Sequence, residues 1–359
     1  MNTKTPVIYD IFTNFADGAN HADETPQDDL WFLPGPIEDE PDFQAPGPRA
    51  ELGETSIPAD WKQAEAGLAA GLARVAGRLG SLDERLRRGP AGWRHRLALI
   101  EAADLSWFIG DRIASDRLAL WIALRLSGVQ DDTAALARMG WAVRRLTGGQ
   151  QPEANLSEFL GRHDTENLDD TADRFADRAG GWLDLMGAGR DLHPISRACM
   201  GYHLWSLAGL DQHGDRMEAA VTAGRIAASE ASELRGGAVF APLAMGGAGG
   251  LRAGGPPAER LARWLDGMGS ATLKAMRHLD DIEAWTARTE AVMTPLSGRT
   301  PSVLLAVLRE WPLVSAPMAE ALTGASRAAV QRNLVWMQTQ GLIREVTGQG
   351  RFRMWRAAV

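Results

Sequence analysis

The chain is expected to be all-α, a helical body followed by a C-terminal winged helix-turn-helix. Three observations predict this. Alanine, leucine and arginine dominate while only two Tyr and nine Phe occur, a composition that favours helices. Apolar residues recur at spacings of three and four through most of residues 58–293, with almost no strand-like alternation. The last 65 residues, from Pro295 on, hold eight Arg against three acidic residues in a chain whose net charge is -8.

Residues 1–60 hold 13 acidic and two basic side chains, are rich in Pro and Gly, and show no sustained periodicity. Residues 1–57 are therefore expected to be an acidic, mostly disordered tail. Its one apolar stretch, Leu30-Trp31-Phe32-Leu33, is expected to dock on the chain's own helical part. The helical domain is expected over 58–294. Leu68, Leu72, Val75, Leu79, Leu82 and Leu86 form one apolar stripe, broken at Gly89-Pro90. Further helices are expected at 93–110, 115–127, from Asp132 to about 147, at 155–161, 168–186, 194–209, 215–233 and 257–293, with Gly128 and Gly148-Gly149 as stops. The Gly-rich segment 236–257 lacks the Gly-Lys-Ser/Thr of a phosphate loop and reads as a mobile connection.

The final segment divides into a helix at Pro301–Glu310, with Val303, Leu304, Val307 and Leu308 apolar, a stop at Pro312, and a second helix capped by Ser315 with Met318, Ala319 and Leu322 inward. A turn follows at Thr323-Gly324-Ala325. Ser326 caps a third helix, which Val330, Leu334 and Met337 bury and Gly341 ends. Two strands, Ile343–Thr347 and Arg351–Trp355, flank Gly348-Gln349-Gly350. In the second, Phe352 and Met354 alternate with Arg351, Arg353 and Trp355.

A basic module of this shape on an acidic chain is the footprint of DNA binding. The exposed start of the third helix carries Arg327, Gln331 and Arg332, and Arg and Gln suit guanine and adenine in the major groove. Arg351 and Arg353, with Gln349, suit phosphate or minor-groove contact. The expected function is a sequence-specific regulator of transcription on double-stranded DNA. One module per chain predicts a homodimer on two half-sites, with the helix over 257–293 as the seam. Winged helices also serve as protein–protein modules, and the acidic tail then either gates the basic face or recruits a partner.

Enzymatic and metal chemistry have weaker support. His163, Asp164 and Glu166 lack a fourth metal ligand. His95, between Arg94 and Arg96, reads as a basic surface patch, and Cys199 as a core residue. No cofactor is expected. A single cysteine suits a reducing cytoplasm, the N-terminus lacks a signal-peptide pattern, and no run of 18 apolar residues is present for a membrane span.

Two family resemblances follow. Over roughly 90–359, through PSVLLAVLREWPLVSAPMAEALTG and the ending IREVTGQGRFRMW, the chain resembles an uncharacterised helix-turn-helix family of rhizobia and related alphaproteobacteria. These proteins are largely plasmid-encoded and carry a domain of unknown function before the module. The segment Glu101–Gly110 is similar to the inhibitory helix of Fic-domain enzymes, matching at Ser106 and Gly110 but with Ile109 in place of Glu. The stretch from Pro194 to Arg216 is similar in layout to the helix and loop of their catalytic motif. The catalytic His position there holds Gly209, and the Gly-rich anion turn is missing. This second resemblance implies a Fic-like scaffold with its catalytic motif lost, His203 and His213 being poor replacements for the missing base.

Overall fold

The computed structural model describes residues 56–124, 132–162, 170–211, 216–230, 237–348 and 352–359. Residues 51–359 form one compact unit, so the helical body and the C-terminal segment pack together. The stretch Leu30–Leu33, the residues His163, Asp164 and Glu166, and His213 lie outside the described residues.

The described structure is mostly helical. The predicted first stripe becomes two helices, α1 (Ser56–Gly67) and α2 (Ala69–Arg88), separated at Leu68. Leu72, Val75, Leu79, Leu82 and Leu86 are all buried along α2. Helices α3 (Gly92–Ile109), α4 (Ser115–Leu124), α5 (Thr133–Thr147), α6 (Leu156–Leu160), α7 (Asp170–Ala188), α8 (Pro194–Leu207) and α9 (Met217–Ala227) follow. Local chemistry sets several starts. Asp132 accepts from the amides of Ala134 and Ala135 at 2.9 and 3.0 Å, Asn155 from Glu158 at 3.0 Å, and His193 Nδ1 from Ile195 at 3.1 Å, with Pro194 in the first turn of α8.

A 37-residue helix, α10 (Pro257–Met293), organises the body. At 1.5 Å per residue it is about 55 Å long. Leu261, Trp264, Leu265, Met268, Ala271, Ala275, Leu279, Ile282 and Trp285 are buried along it. It packs on α1, α2 and α8, and Arg85 of α2 is ion-paired with its Asp280 and Glu283 at 2.6 and 2.7 Å. The seam expected on this helix is therefore revised: its apolar stripe belongs to the chain's own core.

The Gly-rich segment is also not the loose connection expected. Residues 240–245 are buried, and their amides are held from α3. Glu101 accepts from Leu243, Ala244 and Met245 at 2.8, 2.9 and 3.1 Å, and Asp104 from Gly246 at 2.9 Å. Glu101 is fully buried, and desolvation raises its carboxyl to about 7 against the pull of those amides.

The C-terminal segment runs α11 (Thr300–Glu310), β1 (Val314–Ser315), α12 (Ala316–Thr323), α13 (Arg327–Thr339), β2 (Ile343–Glu345) and β3 (Met354–Ala357). Its strands form an antiparallel sheet in the order β1-β3-β2, pairing Val314 with Trp355 and Ile343 with Ala357. Strand β1 was not expected. Its two residues are too short for an alternation to register, and pairing with β3 creates it. Among the described residues no helix is long and apolar enough to cross a membrane, and no group of three His, Cys, Asp or Glu is placed to hold a metal.

Candidate nucleic-acid interface

The local signals of the C-terminal segment give the expected skeleton. Ser315 accepts from the Met318 amide at 3.3 Å to start α12. Gly324 takes φ +64°, the left-handed corner that a side-chain-bearing residue resists, and Ser326 accepts from Ala329 at 3.4 Å to start α13. Val330, Leu334 and Met337 are fully buried. The helix closes with paired bonds from Gly341 to Gln338 and from Leu342 to Met337 at 3.0 and 2.9 Å. Two inward assignments are corrected. Leu322 is 41% exposed, and Thr323, bonded to the Ala319 carbonyl, is buried in its place. Val303 is only half-buried, and Leu305 is buried beside Leu304.

The opposite side of α13 presents Ser326, Arg327, Ala328, Arg332 and Val335 exposed, with Gln331 half-buried among them. Within the helix Ala328, Arg332 and Val335 are four and three apart, and Arg327 and Gln331 are four apart beside them, so these five share one helix face. Arg344 on β2 is also exposed. It was not singled out from sequence, although the strand alternation that buries Ile343 points Arg344 outward. Among the described residues none of Arg327, Arg332 and Arg344 joins a carboxylate.

The hairpin differs from the alternation expected of it. Phe352 is 72% exposed with φ +57°, so it leaves the strand path before Met354. Trp355 is buried, and its indole N–H donates to Gln338 on α13 at 3.0 Å. Arg353 donates to the same oxygen at 3.1 Å and lies 5.0 Å from the Trp355 ring centroid, which places it beside the second half of α13. Gln349 and Arg351 lie outside the described residues.

Four other charges of the segment, Arg309, Glu310, Glu345 and Arg356, are engaged within the chain. Glu345 accepts from the Thr347 amide at 2.7 Å, from the Thr347 hydroxyl and from the Gly348 amide at 3.2 Å, closing the hairpin turn. Glu310 accepts from the Gly92 amide at 3.0 Å, where a Cβ on Gly92 would come within 2.6 Å of the Glu310 side chain. Arg309 pairs with Glu283 at 3.5 Å and Arg356 with Asp116 at 2.7 Å, both on the body. Arg96 reaches from α3 to the last carbonyls of α11, donating to Leu308, Arg309 and Trp311 at 3.2, 3.3 and 2.7 Å. The expected surface patch around His95 is thus corrected. Arg96 is buried, and His95 sits half-buried against Trp311, pushed down to about 4 by desolvation and then by Arg96. The segment is therefore packed against the body, with Arg327, Arg332 and Arg344 exposed.

No family model matches the chain, and no curated protein matches it.

The Fic-like segments have structural roles. Ser106 is buried, donating to the Ala103 carbonyl at 2.6 Å and accepting from the Ile113 amide at 2.8 Å. Gly209 ends α8 with φ +69°. His203 is buried against Trp61 and Tyr202 and lowered to about 3, first by desolvation and then by Arg260 and Arg216. Burial raises the Cys199 thiol well above its ordinary value, which fits a core residue.

Proposed function

We propose that the chain is a sequence-specific double-stranded-DNA-binding protein, a regulator of transcription whose C-terminal segment is a winged helix-turn-helix. One observation carries this reading. The face of α13 with Arg327, Gln331, Arg332 and Val335 is open and basic, while Glu310 and Glu345 are engaged elsewhere. In the major groove Arg327 and Arg332 suit guanine edges, Gln331 an adenine edge and Val335 a thymine methyl. Arg344, and Arg351 at the hairpin, suit backbone phosphates. The reading assigns no catalytic step. It keeps a homodimer on paired half-sites, joined through a surface other than the apolar stripe of α10.

The test is selection from pooled random duplex DNA by the full-length protein at two salt concentrations, with sequencing of the retained fraction. An enriched motif with affinity falling steeply as salt rises is expected. No enrichment and no salt-dependent binding would reject the reading and make the module a protein-interaction surface.

A further inference from the structure

The hairpin carries an aromatic side chain that the fold leaves unused. Phe352 is 72% exposed, the most open of the large apolar side chains among the described residues. Met354 and Trp355, two and three residues on, are buried at 3% and 1% exposure. Apolar cover is therefore close at hand, yet the backbone turns Phe352 out of it. It does so through φ +57°, in the left-handed region. Gly348 takes φ +63° in the same hairpin, where the lack of a Cβ makes that conformation free. For a bulky residue the same conformation is unfavourable. A strained backbone that presents an open ring to solvent gains nothing inside the fold, and such positions mark contact with something outside it.

The hairpin is also fixed to α13. Arg353, the next residue, and Trp355 both donate to Oε1 of Gln338, at 3.1 and 3.0 Å. The Val346 amide donates to the Met354 carbonyl at 3.0 Å, where the paired strands begin. Gln338 follows Gln331 by seven residues, two turns along the same side of α13 and about 10 Å further on. Phe352 thus precedes the residue tied to the stripe that carries Gln331. The surrounding charge suits a polyanion. Residues 343–357 hold four arginines and one acidic residue, Glu345, and Glu345 is engaged with Thr347 and Gly348. Arg344 on β2 is exposed. A duplex supplies both counterparts, phosphates for the guanidinium groups and the faces of stacked bases for the ring.

We propose that Phe352 is a wedge that enters the minor groove beside the bases faced by α13, parts one base-pair step and kinks the duplex there. The inference rests on the DNA reading above and adds a shape requirement to it. With α13 in the major groove, a hairpin fixed beside the helix crosses the flanking phosphate strand, and the groove beyond that strand is the minor one. Arginines of the hairpin hold the flanking phosphates, and the ring replaces part of the stacking that the opened step loses. The cost of the kink depends on the sequence that is kinked. This position therefore selects flexible pyrimidine–purine steps without a hydrogen bond to any base.

The test uses full-length protein and the duplex enriched in the selection above, end-labelled for energy transfer and carrying a fluorescent adenine analogue at the steps flanking the enriched bases. The wild type should bend the duplex by about 20–90° and brighten the analogue as its step unstacks. F352G should fold as the wild type does, since Gly adopts this backbone freely. It should leave the duplex nearly straight and the analogue dim, and bind roughly tenfold more weakly, as for loss of an aromatic–base stack. Its salt dependence should be unchanged, because no phosphate contact is removed. Selection repeated with F352G should lose the pyrimidine–purine preference and keep the bases matched to α13. A wild type that binds without bending or unstacking would overturn the wedge and leave the DNA reading standing, as would an F352G that bends the duplex equally. Loss of a dimer in F352G with the bend kept would also overturn it and assign the ring to a second copy. A wild type that binds no duplex would reject both.

Discussion

Arginine plays opposite parts in two regions of this molecule. In the body, Arg225 is 1% exposed and donates to the carbonyls of Arg145, Gly148, Gly149 and Gln150, where α5 ends. Arg96 does the same for the end of α11. Both replace water at carbonyls that a helix leaves unpaired. On α13, Arg327 and Arg332 meet no such acceptor and stay in solvent. The charge is the same in each case; the availability of acceptors decides whether an arginine holds the fold or faces a partner. Counting basic residues therefore overstates the interface, because Arg309 and Arg356 are docking contacts and Arg353 is tied to Gln338.

The comparison breaks most visibly at Arg225. Replacing it with Met leaves four carbonyls without their donor. At about 1 kcal/mol or more each, the loss should be on the order of 4 kcal/mol. Urea unfolding of R225M checks this, and a loss under about 1 kcal/mol would mean that water replaces the guanidinium freely.

Sequence reasoning succeeded where the cause was local. Ser315, Gly324 and Ser326 are read correctly because capping and left-handed turns need only neighbours within three residues. Val330, Leu334 and Met337 follow from helix periodicity alone. It failed where the partner was distant. Arg96 looked like surface because its acceptors lie more than 200 positions away. The Gly-rich segment looked mobile because the carboxylate that holds it, Glu101, is 142 residues earlier. Arg344 could have been found from the alternation of its strand.

Glu101 gives the next largest effect, and its sign is fixed. Its folded value of about 7 lies above the ordinary 4.5, so the native state holds the proton more tightly. The stability it contributes is fully present below pH 4.5 and is lost as pH rises through 7, by on the order of 3 kcal/mol. His95, His203 and His278 are lowered and act the other way, losing stability as pH falls below 6.5. The difference between wild type and E101Q isolates the carboxyl. Relative to E101Q, the wild type should weaken between pH 4.5 and 7, and parallel unfolding curves over that range would reject the argument.

R96M and R327A/R332A set the two arginine roles side by side. Loss of Arg96 should cost about 2 kcal/mol through its three carbonyls and raise hydrogen exchange at the end of α11. R327A and R332A should leave stability within about 0.5 kcal/mol while each removes about 1–3 kcal/mol of discrimination at its own base pair. An equal loss of affinity on every sequence would assign both side chains to phosphates.

The smallest effect tests whether α13, the helix proposed to face DNA, is positioned by its own cap or by its packing. Ser326 accepts from Ala329 at 3.4 Å, a long bond, whereas Val330, Leu334 and Met337 anchor α13 beneath it. S326A should cost about 0.5–1 kcal/mol in unfolding, toward the low end for an N-cap. The first turn carries Arg327, so fraying there should weaken DNA binding by a few-fold while Arg332, one turn further on, keeps its contact. S326D, which restores an acceptor, should recover stability but add negative charge beside Arg327 and bind DNA less well than wild type. If S326A and S326D lose affinity equally, the hydroxyl itself contacts the duplex; if neither loses any, the buried stripe alone holds the recognition face.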